Sequence, residues 1–394
     1  MESKKIKKNK EILLNPFSYF VVVFCLVLYG LTIMYSASYY EALLHSLSHD
    51  YFLKRQLMFA ILAFFVAIIV HFINFKLIES LTYPLVVLSF IFMLLTLFSP
   101  FGVTILGARR WLALGPIPSF QPSEIVKVST ILFIAKYYNK EDHNDLIAIF
   151  IVLLFSALIL LQKDYSTTVV YLVTSFSLLV ICGCNFKSVI IMICFLFIPA
   201  ILALFSQGYR IKRILSFIYP SLDPSGLNYQ INNSIDAIAS GGLFGKGIGE
   251  GYYKQGILPE VQNDFIFSHL GEELGFIGII ILIILFLLFT HIGYKVAKIN
   301  FGKNNFNSYV SFGITTSIVL QAIINMMVVT SLLPPTGIPL PFFSQGGTNL
   351  FFTIVLTSIV HKIICETQKC EDDKNLIDLE KINMKTDYEE LYFD

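Results

Sequence analysis

Long apolar runs, repeated along the chain, limit what this sequence can fold into. Stretches of about 17–25 predominantly apolar residues recur between short polar connectors. In hydrocarbon the backbone has no water to bond, so a spanning segment satisfies its own N–H and C=O groups as a helix. About ten spans are expected, at 17–38, 56–74, 80–99, 122–138, 146–162, 166–183, 188–206, 267–293, 308–330 and 348–365. The expected class is therefore an all-α polytopic membrane protein. Of the 394 residues 56% are hydrophobic and only 14% charged, where soluble domains carry about 25% charged residues.

The spans divide the chain. Lys4, Lys5, Lys7, Lys8 and Lys10 precede the first run, and the positive-inside rule places such a segment in the cytoplasm. Residues 1–16 are then a cytoplasmic basic N-terminus and 17–365 the membrane domain. Residues 366–394 form a cytoplasmic tail, expected to be irregular or to dock a partner because it has no apolar period. An even number of spans puts both termini inside. A large extracytoplasmic loop, 207–266, separates spans seven and eight. The first run is too long and uniform for a cleaved signal peptide.

Several function classes fall away. A net charge of +1 gives no reason to expect a nucleic-acid partner. The six cysteines lie in apolar runs, at their edges or in the tail, so no disulfide framework is expected. Cys182 and Cys184 are too close for a CxxC redox motif. The seven histidines show no HExxH or similar spacing, so a metal site built from protein ligands is not expected.

Cations on the predicted outer side break the usual charge preference. They are Lys54 and Arg55, Arg109 and Arg110, Arg210, Lys212 and Arg213, then Lys246 and Lys254. They are either solvated cations near lipid headgroups or a site for an anionic, lipid-attached substrate, since Arg and Lys make charge-assisted hydrogen bonds to phosphate. Trp111, the only tryptophan, is either an interfacial anchor or a pocket wall beside Arg109 and Arg110. Pro122 suits a first helical turn. Glu124 and Lys127 then share a face of span four, as a mutually neutralising pair or as the lining of a polar cavity. Asp164 reads as the N-cap of span six. His269, Gln321 and Asn325 read as hydrogen-bond partners between helices.

The long loop is glycine-dense, polar and charged. Residues 209–224 have the pattern of an amphipathic interfacial helix, and 229–240 that of another short helix. Gly241, Gly242, Gly245, Gly247, Gly249 and Gly251 follow. They match neither a Walker nor a Rossmann phosphate loop; they are either a flexible loop or a place where backbone must approach closely. Asp264 stands where the loop re-enters the membrane. It is either an N-cap or, partly desolvated, a proton acceptor. Glu272 and Glu273 enter the next span and must be paired or face water.

These motifs, in this order, resemble the SEDS family of FtsW/RodA peptidoglycan polymerases over about 17–365. The carriers are Met34-Tyr35-Ser36-Ala37-Ser38, Lys54-Arg55-Gln56, GARRWLALGPIPSFQPSE at 107–124 with Lys127, SGGLFGKGIG, LPE, DFIFSHLGEELG and the 333–347 stretch LPPTGIPLPFFSQGG, with Ser344 in it. Departures are Gln345 for the usual Tyr, Lys163 and Ser166 for Pro and Gly, and Gln262-Asn263 for His-Thr before Asp264.

The resemblance implies a ten-span fold, lipid II as substrate, glycan polymerisation outside the cytoplasmic membrane, and a class B penicillin-binding protein as transpeptidase partner within a division or elongation complex. GEELGFIG and the Lys-rich start look more like the division-linked FtsW branch, acting at the septum; the alternatives are an elongation-linked RodA-type polymerase, a flippase of lipid-linked precursor, or a scaffold. The resemblance makes Asp264 the general base. Arg109, Arg110, Trp111, Lys54, Arg55, Glu124, Lys127, Arg210, Arg213, Lys246 and Ser344 are substrate-binding candidates. No tightly bound cofactor is expected; a divalent cation, Mg or Mn, would accompany the substrate pyrophosphate.

Overall fold

The structure, a computed structural model, describes residues 15–105, 107–115, 118–185, 187, 188, 190 and 227–393. The seventh expected span, the 209–224 segment and the candidates Arg210 and Arg213 lie outside the described residues, apart from the first positions of that span.

The remaining nine expected spans are all helices. They are α1 (Pro16–Leu44), α2 (Tyr51–Phe72), the short α3 (Phe75–Ser80) leading into α4 (Thr82–Phe98), α5 (Pro122–Tyr138), α6 (Asp145–Leu161), α7 (Tyr165–Ile181), α9 (Ile266–Asn300), α10 (Asn305–Val329) and α11 (Gly347–Phe393). Loop helix α8 (Leu227–Gly241) lies where a short helix was expected. Helices α1, α2, α9, α10 and the first part of α11 are each long and apolar enough to cross a membrane.

Local chemistry sets the starts. Asn15, Asn74, Asn144 and Asn304 each accept a backbone N–H of the following first turn at 3.0–3.1 Å, satisfying donors that a helix start otherwise leaves orphaned. Pro16 and Pro122 occupy first-turn positions. Between helices, small hydroxyls stand in for bulk. Ser89 donates to Ser129 at 2.9 Å, and Thr130 pairs with Tyr171 at 3.1 Å, the kind of polar contact that joins helices in lipid.

Two findings go beyond the helical expectation. The loop after α4 contains a β-hairpin, β1 (Gly102–Ile105) against β2 (Ala108–Leu112), with Val103 opposite Trp111. Val103, Thr104 and Ile105 are β-branched and suit a strand. At the other end, α11 continues to Phe393, so the tail extends the last helix where an irregular segment was expected.

α9 is broken. Gly275 has φ 64° and ψ −162°, which interrupts the hydrogen-bond ladder inside an apolar helix. The freed groups find partners in the glycine-rich segment. The backbone N–H groups of Lys246 and Gly247 donate to the carbonyls of Glu272 and Glu273 at 3.0 and 2.9 Å. Those of Phe276 and Ile277 donate to the carbonyls of Gly242 and Leu243 at 2.9 and 3.2 Å. A broken helix survives at membrane depth only when buried protein re-satisfies it. The segment 242–247 is that protein. Gly245 has φ +78°, and a Cβ there would lie 2.1 Å from the Glu273 carbonyl oxygen. The glycines permit a close brace, which settles the choice between flexible loop and close approach.

Candidate active site

Asp264 sits directly before α9. Phe265 is the N-cap residue and makes no side-chain cap bond, so Asp264 is not the cap. Its backbone is held instead. Its N–H donates to the Glu260 carbonyl at 3.2 Å, and its carbonyl accepts from Asn325 Nδ2 at 2.9 Å. Asp264 is half-buried and faces Gly337, where a Cβ would stand 3.2 Å from Asp264 Oδ2. Gly337 has φ +72°, so both the turn and the room for the carboxylate require glycine.

The loop that follows is sewn to Asp264's own segment. Asn325 Nδ2 also donates to the Ile338 carbonyl at 2.7 Å, and Gln321 Nε2 to that of Pro339 at 3.0 Å. Ser344 Oγ donates to the Asn263 carbonyl at 2.5 Å and accepts from Leu340 N–H at 2.8 Å. Gln345 N–H donates to the Gln262 carbonyl at 2.8 Å. Gln56, in the first turns of α2, bonds both the Ser344 carbonyl and Gly346 N–H, at 3.2 and 3.3 Å. Gln56 is buried, so these bonds satisfy an amide that would otherwise be costly at that depth.

Beside this knot is a cavity of about 210 Å³ whose lining includes Arg55, Gln56, Trp111, Gln345 and Thr348. Arg55 is exposed. Gln345 Oε1 is buried and has no hydrogen-bond partner among the described residues. The cleft thus joins an available guanidinium, an indole and an unsatisfied amide. Through the Gln345 backbone it is tied to Gln262, two residues from Asp264.

The other described candidates are engaged elsewhere. Lys54 pairs with Asp50 at 2.6 Å on an exposed turn, and the Lys54 hydrogen bond holds the Asp50 carboxyl below its ordinary range. Arg109 donates to the Ser99 carbonyl under the hairpin. Arg110 donates to the Lys163 carbonyl at 2.8 Å and lies 3.7 Å from Asp164. Asp164 caps α7 as expected, through Thr167 N–H at 3.2 Å, and also accepts from Gln121 at 2.8 Å. Glu124 and Lys127 are buried and pair with each other at 2.8 Å, and Lys127 reaches Gln321 at 3.3 Å. That pair supports the floor of the 337–347 loop through Gln321. Ser344 bonds backbone and shapes the loop.

Glu272 and Glu273 are fully buried and paired. Glu272 accepts from Lys246 Nζ at 2.8 Å and from Tyr252 N–H at 2.7 Å. Glu273 accepts from Lys254 Nζ at 2.8 Å, Ser36 Oγ at 2.6 Å and Gly251 N–H at 3.3 Å, and His269 Nε2 lies 3.3 Å away. Lys254 completes its donors on Ser36 and the Gly249 carbonyl, at 2.9 and 2.7 Å. Lys246 is therefore a brace residue. Gln56 and Gly337 were not among the sequence candidates. Gln56 was visible only as the third letter of KRQ, and Gly337 only inside the PTGIPLPF stretch.

Comparison with known proteins agrees with this architecture. The profile of the FtsW/RodA/SpoVE family, described as cell cycle proteins, matches residues 17–369. The probable peptidoglycan glycosyltransferase FtsW of Borreliella burgdorferi is 36% identical over 353 residues, 88% of this chain and 95% of that protein. Stage V sporulation protein E of Bacillus subtilis is 33% identical over 86% of this chain and 94% of its own length. Among solved structures, the rod shape determining protein RodA of Thermus thermophilus aligns with a TM-score of 0.66 at 25% identity, covering 89% of this chain and 97% of that one. A chain of a peptidoglycan synthase complex aligns with a TM-score of 0.72 at 24% identity, covering 89% of this chain and 98% of that one. With apolar spans, the motifs in order and a profile match across the membrane domain, the chain belongs to the FtsW/RodA/SpoVE family.

Proposed function

We propose that the chain is a peptidoglycan glycosyltransferase that polymerises lipid II in the division-linked, FtsW-like manner. The observation that carries this reading is the seat of Asp264: a carboxylate at a fixed backbone, opposite a glycine, in a segment whose Gln262 carbonyl bonds Gln345 of the cleft. Asp264 acts as general base. It takes the proton of the acceptor sugar 4-hydroxyl as that oxygen bonds to C1 of the donor. The C1–O bond to undecaprenyl pyrophosphate breaks, and negative charge grows on phosphate. Arg55 is the candidate placed to stabilise that charge. Arg210 and Arg213 are further candidates on their sequence alone.

A divalent cation, Mg or Mn, fits this scheme as a companion of the pyrophosphate. Among the described residues the cleft lining contains Arg55 but no carboxylate, so few of these residues would be ligands to the ion. When bound it would neutralise phosphate charge.

The partner is a class B penicillin-binding protein within a division complex, at the cytoplasmic membrane of the septum, with both termini in the cytoplasm. FtsW relatives of like length support division. The RodA likeness is one of fold and leaves an elongation role as the second reading. Reconstitution with lipid II, alone and with the transpeptidase, tests the activity. Glycan strands are expected; transfer of lipid II across the bilayer without polymer would favour a flippase instead.

A further inference from the structure

His71, His361 and Cys365 meet where the end of α2 packs beside α11. His71 is in the last turn of α2. His361 and Cys365 lie four residues apart, on one face of α11. The ligand atoms of the three all fall within 4.8 Å of one another, with Cys365 Sγ 3.9 Å from His361 Nδ1. A further contact holds the cluster: Lys362 Nζ donates to the His71 carbonyl at 2.8 Å.

The chemistry of this donor set is specific. Two imidazoles and a thiolate suit a borderline-soft divalent ion, above all Zn²⁺. With bonds of about 2.0–2.3 Å, tetrahedral ligand atoms stand roughly 3.4–3.8 Å apart. The His361–Cys365 pair is already near that spacing. His71 is exposed, so a ring rotation closes the remainder.

We propose that His71, His361 and Cys365 bind one Zn²⁺ ion, with water in the fourth position, that clips α2 to α11 at a level remote from the cleft. Gln56 and His71 are separated along α2 by roughly 22 Å of helix, and Gln56 bonds Gly346, next to the start of α11, at the cleft end. The ion would set the spacing between α2, which carries Arg55, and α11, whose start follows Gln345 by two residues. The sequence hides the site because its ligands come from distant parts of the chain.

The test uses the full chain purified through a tag without histidines, freed of metal, and titrated with Co²⁺ alone. One Co²⁺ per chain is expected, with thiolate-to-metal absorption in the near ultraviolet and intense visible bands of a tetrahedral site, both displaced by Zn²⁺. Cys365→Ser, a one-atom change, should remove the thiolate band. His71→Gln should weaken binding at least about tenfold. Zn²⁺ should raise the melting temperature of the parent and leave that of Cys365→Ser unmoved. Absence of a thiolate band at saturating Co²⁺, or an unchanged band in Cys365→Ser, would overturn the proposal.

Discussion

Two regions of this molecule gather charge beside the membrane, and they use it differently. Under the glycine-rich segment, Lys246 pairs with Glu272 and Lys254 with Glu273, and backbone N–H groups and Ser36 add hydrogen bonds to the two carboxylates. In the cleft, Arg55 is exposed and Gln345 keeps an unbonded oxygen. The first region is closed electrostatically and holds a broken helix; the second is open and can take a ligand. The cations of these two regions therefore divide into a paired set and an exposed one, a division that charge and position alone do not reveal.

Breaking the closed region should cost the fold. Removing one partner of a buried ion pair leaves an uncompensated charge, at about 3–5 kcal/mol. Lys254→Met should therefore lower unfolding stability in detergent by that order, with activity falling in proportion to the folded fraction. Adding Glu273→Leu to it should return much of the loss. If Lys254→Met melts like the parent, the brace is not structural.

Gly245→Ala comes next. Left-handed backbone and the clash with the Glu273 carbonyl together should cost about 2–4 kcal/mol, read by the same unfolding measurement. A variant as stable as the parent would place the segment away from α9.

The open region should respond in the opposite sense. Arg55→Ala should leave stability unchanged and raise the KM for lipid II about tenfold or more, the loss of a charge-assisted hydrogen bond to phosphate. Unchanged kinetics would remove Arg55 from the site. Lys54→Ala is the smallest change. Lys54 and Asp50 both face solvent, which screens such pairs. The lowered Asp50 carboxyl gives a contribution present above the ordinary carboxylate range and lost on acidification, and screening makes it slight. The melting temperatures of this variant and the parent should therefore stay together between neutral and mildly acidic pH.

Much of this was legible in the sequence. Apolar run length located every described span, and Pro122 and Asp164 marked two of their beginnings. Asp164 as a cap and Glu272 with Glu273 as buried pairs follow from the cost of polar groups in lipid. The brace and the cleft were less legible because they depend on contacts between distant segments. Asp264 joins Gly337 and Asn325, and Gln56 joins Gly346, across stretches that no local period connects. The hairpin escaped because its β-branched run is short and lies beside a proline-containing loop. The partners of Lys246 and Arg110, Glu272 for one and the Lys163 carbonyl for the other, were not legible because a sequence shows a cation without showing what it pairs with.

The division of labour rests most directly on Asp264. Asp264→Asn keeps shape and removes the proposed base. Purified parent and variant should be compared for initial rate of lipid II polymerisation and for unfolding midpoint in one preparation. The expected result is an unchanged midpoint with a rate lower by about 10²–10⁴-fold. Polymerisation at the parent rate, or a loss of rate matched by a loss of folded protein, would contradict the account.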